Sequence, residues 1–261
     1  MTTAPGGARA PGEPRLSIVT VVRNDRAALE RTAESVARWR GPATEFVVLD
    51  GASTDGTAEV ARRVADVAVS EPDRGIYDAM NKGTRTARGR FLQFLNAGDL
   101  LVDAPEEVVA AAPDDAVLVY AKANMRYADG TLRYVKGKRL WYAARFLKGM
   151  PLCHQAIFYR RDVMPEYDLT FPVLGDRVLT YELVRRFGLR RTLFVDRVVV
   201  DYFFGGFSNH VPPETLAAEQ ERFYRRAGKP HYIAYKRLNA WFRSEIREPW
   251  ERRRGKRERF R

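Results

Sequence analysis

The chain has 261 residues, 45% hydrophobic and 30% charged, which suits one large α/β domain with an appended segment and excludes a wholly disordered or low-complexity protein. Its 45 Lys and Arg against 33 Asp and Glu give a net charge of +12 and favour anionic partners, although seven of those cations sit in the last eleven residues. The single cysteine, Cys153, excludes an intrachain disulfide, no run approaches the ~18 apolar residues of a membrane span, and the opening MTTAPGGARAPGEPR has no apolar leader core, so a cytoplasmic protein is expected.

Residues 1–14 read as a disordered lead-in. Leu16 to Val22 is a nearly continuous β-branched run, the pattern of a strand covered on both faces. Asn24 and Asp25 offer helix caps, and Leu29, Ala33 and Val36 recur at helical spacing until Gly41-Pro42 stops them. EFVVLD predicts a second strand ending at Asp50, and the turn marked by Gly51 and Gly56 leads into a helix over Thr57 to Val64. VADVAVS reads as a third strand, DRGIYDAMNKGTRTA as a loop entering a helix, and RFLQFLNAGD as a fourth strand ending on polar residues. This alternation predicts an α/β, Rossmann-like, mostly parallel sheet flanked by helices, with ligands beyond the carboxyl ends of its strands. Residues 15–103 would form that binding half.

From residue 104 to 212 the pattern becomes mixed. VLVYAKANMRYADGTLRYV predicts two strands joined at Ala128-Asp129-Gly130, AIFY a strand, LTYELVRRFG a helix closed by Gly188, and TLFVDRVVVDYFF further strand. Residues 213–250 carry Leu216, Glu219, Phe223, Ile233, Leu238 and Phe242 at helical intervals, and 251–261 form a basic tail.

The chemistry-bearing residues gather at strand ends. Thr20, Asn24, Asp50, Ser53, Asp55 and Gly56 suit a nucleotide-binding turn, where a carboxylate accepts from a base or ribose and backbone amides approach an anion. The same residues also suit an Asx turn with a helix cap. Neither a Gly-x-Gly-x-x-Gly turn nor a Walker A loop occurs, which sets aside dinucleotide oxidoreductases and P-loop kinases. Glu71 to Gly83 mixes Asp73, Arg74, Asp78, Asn81 and Lys82, suited to a charged, hydroxyl-rich ligand or to an exposed ion pair on a helix. Asp99, three residues after Asn96, could give Mg²⁺ or Mn²⁺ a carboxylate, or simply end a strand.

Together SIVTVVRN, VVLDGASTDGT, SEPDRGIYDAMNKG and FLNAGD resemble, in order and spacing, glycosyltransferase family 2, whose members have the GT-A fold. The resemblance implies a metal-dependent inverting transferase that moves a sugar from a nucleotide donor, with uracil the expected base, to a hydroxyl acceptor such as a glycan, a lipid-linked saccharide or a natural product. It implies Thr20, Asn24, Asp50 and Ser53 around the nucleotide, and Asp73, Arg74, Asn81 and Lys82 toward ribose, diphosphate or sugar. Asp99 would hold Mg²⁺ or Mn²⁺, although Asn96-Ala97-Gly98-Asp99 has one carboxylate where the family's Asp-x-Asp has two.

In the acceptor half PLCHQAIFYRRD resembles a Cys-His-Gln segment of the family, which makes His154 a possible acceptor-side residue as well as an ordinary hydrogen-bonded one. FPVLGDRVLTYELVRRFG matches the place of the family's general base, implying Asp176, with Asp168 and Glu182 as alternatives and a helix cap as the structural reading of Asp176. Gly205 to Ser208 resembles a late segment at the active-site mouth and reads as a lid or a tight turn. The basic C-terminus, with Trp241, Phe242 and Trp250, could touch an anionic membrane peripherally or stay solvated, and nucleic acid is not the expected partner. A non-catalytic nucleotide- or polyanion-binding protein that keeps the fold is the alternative reading.

Overall fold

The computed structural model describes residues 13–205 and 211–242. β1 (Leu16–Val22) is buried along its whole length, as its unbroken apolar run predicts. It pairs in parallel with β2 (Thr44–Asp50) on one side and β4 (Phe91–Phe94) on the other, and β3 (Val67–Ser70) extends the sheet beyond β2. Helices α1 (Arg26–Trp39), α2 (Thr57–Val64) and α3 (Ile76–Thr86) make the crossovers. α1 starts where the Asp25 carboxylate accepts from the Ala28 N–H at 3.0 Å, and it buries Ala28, Leu29, Thr32, Ala33 and Val36 at helical spacing. α3 can lie close on the sheet because Gly83 has no side chain: a Cβ there would stand 2.4 Å from Val19 Cγ1.

Because the chain turns outward from β1 in both directions, the carboxyl ends of β1 and β4 open a crevice at the switch of strand order. The sheet then becomes mixed. β8 (Ile157–Arg160) runs antiparallel to β4, and β6 (Leu118–Arg126) antiparallel to β8. β9 (Thr192–Phe203) lies parallel to β6, and β5 (Leu100–Leu101) pairs antiparallel with β9. The order is β3-β2-β1-β4-β8-β6-β9-β5, with β7 (Leu132–Lys136) paired to β6 alone. The β6–β7 turn falls where Asp129-Gly130 predicts it: Gly130 takes φ +86°, and Tyr127 and Thr131 close the hairpin through a 2.9 Å bond. The fold class is the expected one.

Three short helices complete this part: α4 (Pro105–Ala110), α5 (Arg145–Lys148) and α6 (Gly175–Phe187). β5, α4 and α5 are absent from the sequence-based expectations, since two, six and four residues are too short to display a period. α6 begins earlier than LTYELVRRFG suggests, so Asp176 lies inside its first turn and not ahead of it.

The chain divides into two compact units, Met1–His210 and Val211–Arg261. In the second, α7 (Pro213–Arg226) and α8 (His231–Phe242) are separated at Gly228, whose φ is +69°, and Tyr224 stacks on Tyr232 at 5.7 Å. Among the described residues no helix is long and apolar enough to cross a membrane. Most of the lead-in, the stretch Gly206 to Ser208, the side chains of Trp241 and Phe242, and the tail with Trp250 lie outside the described residues.

Candidate active site

A cleft of about 1010 Å³ opens at the carboxyl ends of β1 and β4. Its walls come from Val21–Arg23, Asn96–Leu100, the start of α3, the hairpin tip Ala128–Gly130, residues 150–155, the entry to α6 and residues 202–205.

The turn carrying Asp99 is built from local chemistry. Gly98 adopts φ +98°, a conformation that favours glycine, and its N–H donates to Thr32 Oγ1 at 2.9 Å. The same buried hydroxyl donates to the Asp99 carbonyl at 2.9 Å, which fastens the turn to α1. The Asp99 carboxylate is 5% exposed and accepts from the Phe203 N–H at 3.0 Å and from the Gln155 side chain. Burial outweighs those bonds and pushes its pKa up to about 7. Also in the cleft wall, Asn96 Oδ1 is buried without a hydrogen-bond partner among the described residues. A buried carboxylate and an unused amide oxygen are a donor set that a hard divalent cation fits, with water and phosphate oxygens completing its shell.

The same cleft is lined by Asp176. Its Oδ1 accepts from the Arg177 N–H at 2.7 Å and lies 3.3 Å from the Tyr77 hydroxyl, which is also 3.1 Å from the Val173 carbonyl. Asp176 does not cap α6, since the helix starts ahead of it and, among the described residues, the one backbone N–H its carboxylate accepts is that of the next residue. Tyr77 is held in place by stacking on Tyr167 at 4.9 Å and by the missing side chain of Gly175, where a Cβ would come within 2.7 Å of the ring. Burial, then the Asp176 charge, raises the Tyr77 pKa, so its hydroxyl stays a hydrogen-bond donor. Of the alternatives, Asp168 binds Thr170 in its own turn and Glu182 lines a separate pocket with Arg185 and Arg186. Only Asp176 of the three lines the cleft.

His154 also lines the cleft. It stacks on Phe94 at 5.6 Å, its Nε2 is 2.8 Å from the Tyr167 hydroxyl, and burial lowers its pKa, so the ring is neutral.

The donor-side residues anticipated from sequence are arranged differently. Thr20 is fully buried and donates to the Leu95 carbonyl at 2.7 Å, and the Asn81 amide is spent on Tyr167, donating to its carbonyl at 3.0 Å and accepting from its N–H at 2.7 Å. Both arrangements have one cause: each polar side chain satisfies a backbone group that would otherwise be orphaned in the interior. Lys82 turns back to the Pro72 carbonyl at 2.6 Å and Glu71 at 2.9 Å, bracing the loop ahead of α3. Arg74, 78% exposed, pairs with Asp78 at 3.2 Å.

Asn24, Asp50, Ser53 and Asp73 do gather, on the rim beside the cleft. Asn24 N–H donates to Ser53 Oγ at 2.7 Å, and Thr54 N–H donates to Asn24 Oδ1 at 2.9 Å, locking the two strand-end loops together with Asn24 at φ +50°. Asp50 Oδ2 accepts from Ser53 N–H and Ser70 Oγ, while its Oδ1 is buried without a partner among the described residues. Next to it, a Cβ on Gly51 would lie 2.4 Å from Asp73 Oδ2 and 3.2 Å from Arg23 Cδ, so Arg23, Gly51 and Asp73 border one spot. An unsatisfied carboxylate oxygen there can accept an N–H that the protein does not supply.

Sequence reasoning missed Arg23, Arg31 and Lys136, which line the cleft and form no ion pair among the described residues, as well as Tyr77 and Gln155. No local signal separates these cations from the many other basic residues of the chain.

The family model for glycosyl transferase family 2 matches residues 17–190. A PGL/p-HBAD biosynthesis glycosyltransferase from Mycobacterium tuberculosis is 32% identical over 212 residues, 76% of this chain and 80% of that protein. A second glycosyltransferase of that organism is 27% identical over 228 residues, 80% of this chain and 82% of that protein. Among solved structures, Staphylococcus aureus TarS 1-349 in complex with UDP-GlcNAc aligns with TM-score 0.63 and 17% identity over 88% of this chain and 74% of that one. The chain spans 43% of the longer TarS structure. Glucosyl-3-phosphoglycerate synthase from M. tuberculosis, in complex with Mn²⁺, UDP and glucosyl-3-phosphoglycerate, aligns with TM-score 0.53 and 18% identity over 84% of this chain and 81% of that one. At these identities the solved structures show a common GT-A fold.

Proposed function

The chain belongs to glycosyl transferase family 2 and is a glycosyltransferase, and from that premise we propose that it moves a sugar from a uridine diphosphate donor to an acceptor hydroxyl with inversion, aided by Mg²⁺ or Mn²⁺. The observation that carries this reading is the pair of carboxylates, Asp99 and Asp176, in one cleft that also holds Arg23, Arg31 and Lys136, cations without an ion pair among the described residues. A nucleoside diphosphate needs cationic surroundings, and the acceptor needs a base. The solved neighbours whose complexes contain UDP, UDP-GlcNAc or Mn²⁺ support the choice of donor and metal.

Asp50 Oδ1, unpartnered at the rim, is suited to accept the N–H of a uracil, with Asp73 and Arg23 bordering the ribose. Asn96 and Asp99 would hold the metal, which supplies charge neutralisation for the diphosphate as it leaves. Arg31 and Lys136 add fixed positive charge. Asp176 takes the proton of the acceptor hydroxyl while that hydroxyl's oxygen forms a bond to the anomeric carbon and the bond from that carbon to the diphosphate breaks. Tyr77 and the Arg177 N–H hold one carboxylate oxygen, which orients the other toward the cleft.

The test is transfer, or slow donor hydrolysis, measured across nucleotide sugars with and without Mn²⁺. Asp176→Asn should lower kcat by about 10²–10⁴ while sparing donor binding, the usual contribution of a positioned general base. A loss of less than about tenfold rejects Asp176 as the base.

A further inference from the structure

We propose that the β6–β7 hairpin and the loop after it form a docking surface for an anionic lipid bilayer, placed at the wall of the cleft. The inference goes beyond the transfer reading and does not rest on it.

The segment from Tyr127 to Lys148 holds six basic residues, Arg133, Lys136, Lys138, Arg139, Arg145 and Lys148, against one acid, Asp129. Among the described residues none of the six forms an ion pair, and all but Lys136 are exposed. Asp129 is engaged in the hairpin turn, where its carboxylate accepts from the Thr131 N–H at 2.8 Å. The charge of this segment is therefore strongly positive, whereas Arg197, for example, is paired with Asp103 and Glu107.

The same segment exposes apolar surface. Trp141 is 76% exposed and Tyr142 53%, and Tyr127, Leu132, Tyr134 and Val135 are each close to half exposed. The loop bearing Trp141 is not simply loose. Leu140 before it is buried, with its N–H donating to the Tyr120 hydroxyl at 2.8 Å, and Phe146 and Leu147 after it are buried as well. Anchors on both sides leave the indole outside. β7 pairs with β6 alone, so nothing in the sheet covers its outer edge. The Arg133 guanidinium lies over the rings of Tyr127, Tyr134 and Phe204 at 5.0–5.8 Å, which joins the cationic and aromatic parts into one surface.

Amphipathic Trp and Tyr with interspersed Lys and Arg are the side chains that settle at the headgroup level of a bilayer, and basic residues add attraction to an anionic leaflet. A protein partner would favour a packed patch poor in lysine, and nucleic acid alone would leave Trp141, Leu132 and Val135 without a role. Because Tyr134, Lys136 and Phe204 also line the cleft, a bilayer bound here lies at its mouth.

The full chain, basic C-terminus included, is tested by flotation with phosphatidylcholine vesicles and with vesicles in which about 30% of the lipid is phosphatidylglycerol. Binding should be confined to the anionic vesicles and weaken with salt. Lys138→Glu with Arg139→Glu, and separately Trp141→Ser with Tyr142→Ser, should each lower the partition coefficient about tenfold or more without changing thermal stability. Quenching of tryptophan fluorescence by brominated acyl chains should drop in Trp141→Phe, which distinguishes this surface from one carrying Trp241 or Trp250. Absence of vesicle binding, binding unchanged in both double variants, or quenching unchanged in Trp141→Phe overturns the proposal, as does loss of vesicle binding in favour of nucleic acid at the same salt.

Discussion

Asp99→Asn should make the metal-free protein more stable while removing its use of metal. The Asp99 carboxyl is 5% exposed, and burial lifts its pKa from 3.8 to about 7. A pKa raised on folding means that the folded state binds more protons than the unfolded state between those two values, so stability is lost as pH rises through that window and stays lower above it. At ~1.4 kcal/mol per pH unit the full displacement corresponds to about 4 kcal/mol, and relaxation around the site brings the expected effect to about 2–3 kcal/mol. An asparagine keeps the acceptor for the Phe203 N–H and never ionises, so it escapes this cost. Urea unfolding of the metal-free protein should show the variant more stable by about 2–3 kcal/mol at pH 8, with the advantage shrinking toward zero near pH 4. With UDP and Mn²⁺ the order should reverse, because only the carboxylate gains from the cation. A stability difference that does not vary between pH 4 and pH 8 refutes the burial argument. An Asp99→Asn enzyme with full Mn²⁺-dependent transfer refutes the metal assignment.

Asn81→Ala should cost about 2–4 kcal/mol in chemical denaturation, since it strands the buried carbonyl and N–H of Tyr167, and an unchanged midpoint would show that water replaces the amide. Gly175→Ala should push the Tyr77 ring, 2.7 Å from the new Cβ, off Asp176 and lower kcat more than it changes the donor KM; a rise in donor KM alone would place the effect elsewhere. His154 should titrate below the usual 6.5 because burial disfavours its charged form, so its imidazole resonances should be those of a neutral ring at pH 7, and a protonated ring at that pH would contradict the geometry.

Local pattern carried much of the fold. The apolar run of β1, the Asp25 cap of α1, the span of α2 and the Asp129-Gly130 turn follow from side-chain period, capping and φ > 0 chemistry, which act within a few residues. The four ordered motifs of the first half identified the family for the same reason, since strand ends, turns and helix starts recur at short spacing. β5 escaped because it exists only through pairing Leu100 and Leu101 with Asp201 and Val200.

The direction each polar side chain takes was a tertiary matter. An amide in a motif reads the same whether it meets a ligand or the backbone of Tyr167 86 residues later, and only the packed chain turned Asn81 inward and Thr20 onto Leu95. The same holds for the three acidic candidates of the second half: Asp168, Asp176 and Glu182 are equivalent by type, and the docking of α6 against Tyr77 puts Asp176 alone on the cleft. Arg31 and Lys136 met there from a helix and a hairpin far apart in the chain. Sequence alone determined the longer elements, the family and the carboxylates worth asking about. Which groups share a site was decided by contacts between distant segments, because burial, desolvation and hydrogen-bond satisfaction depend on neighbours that no local window contains.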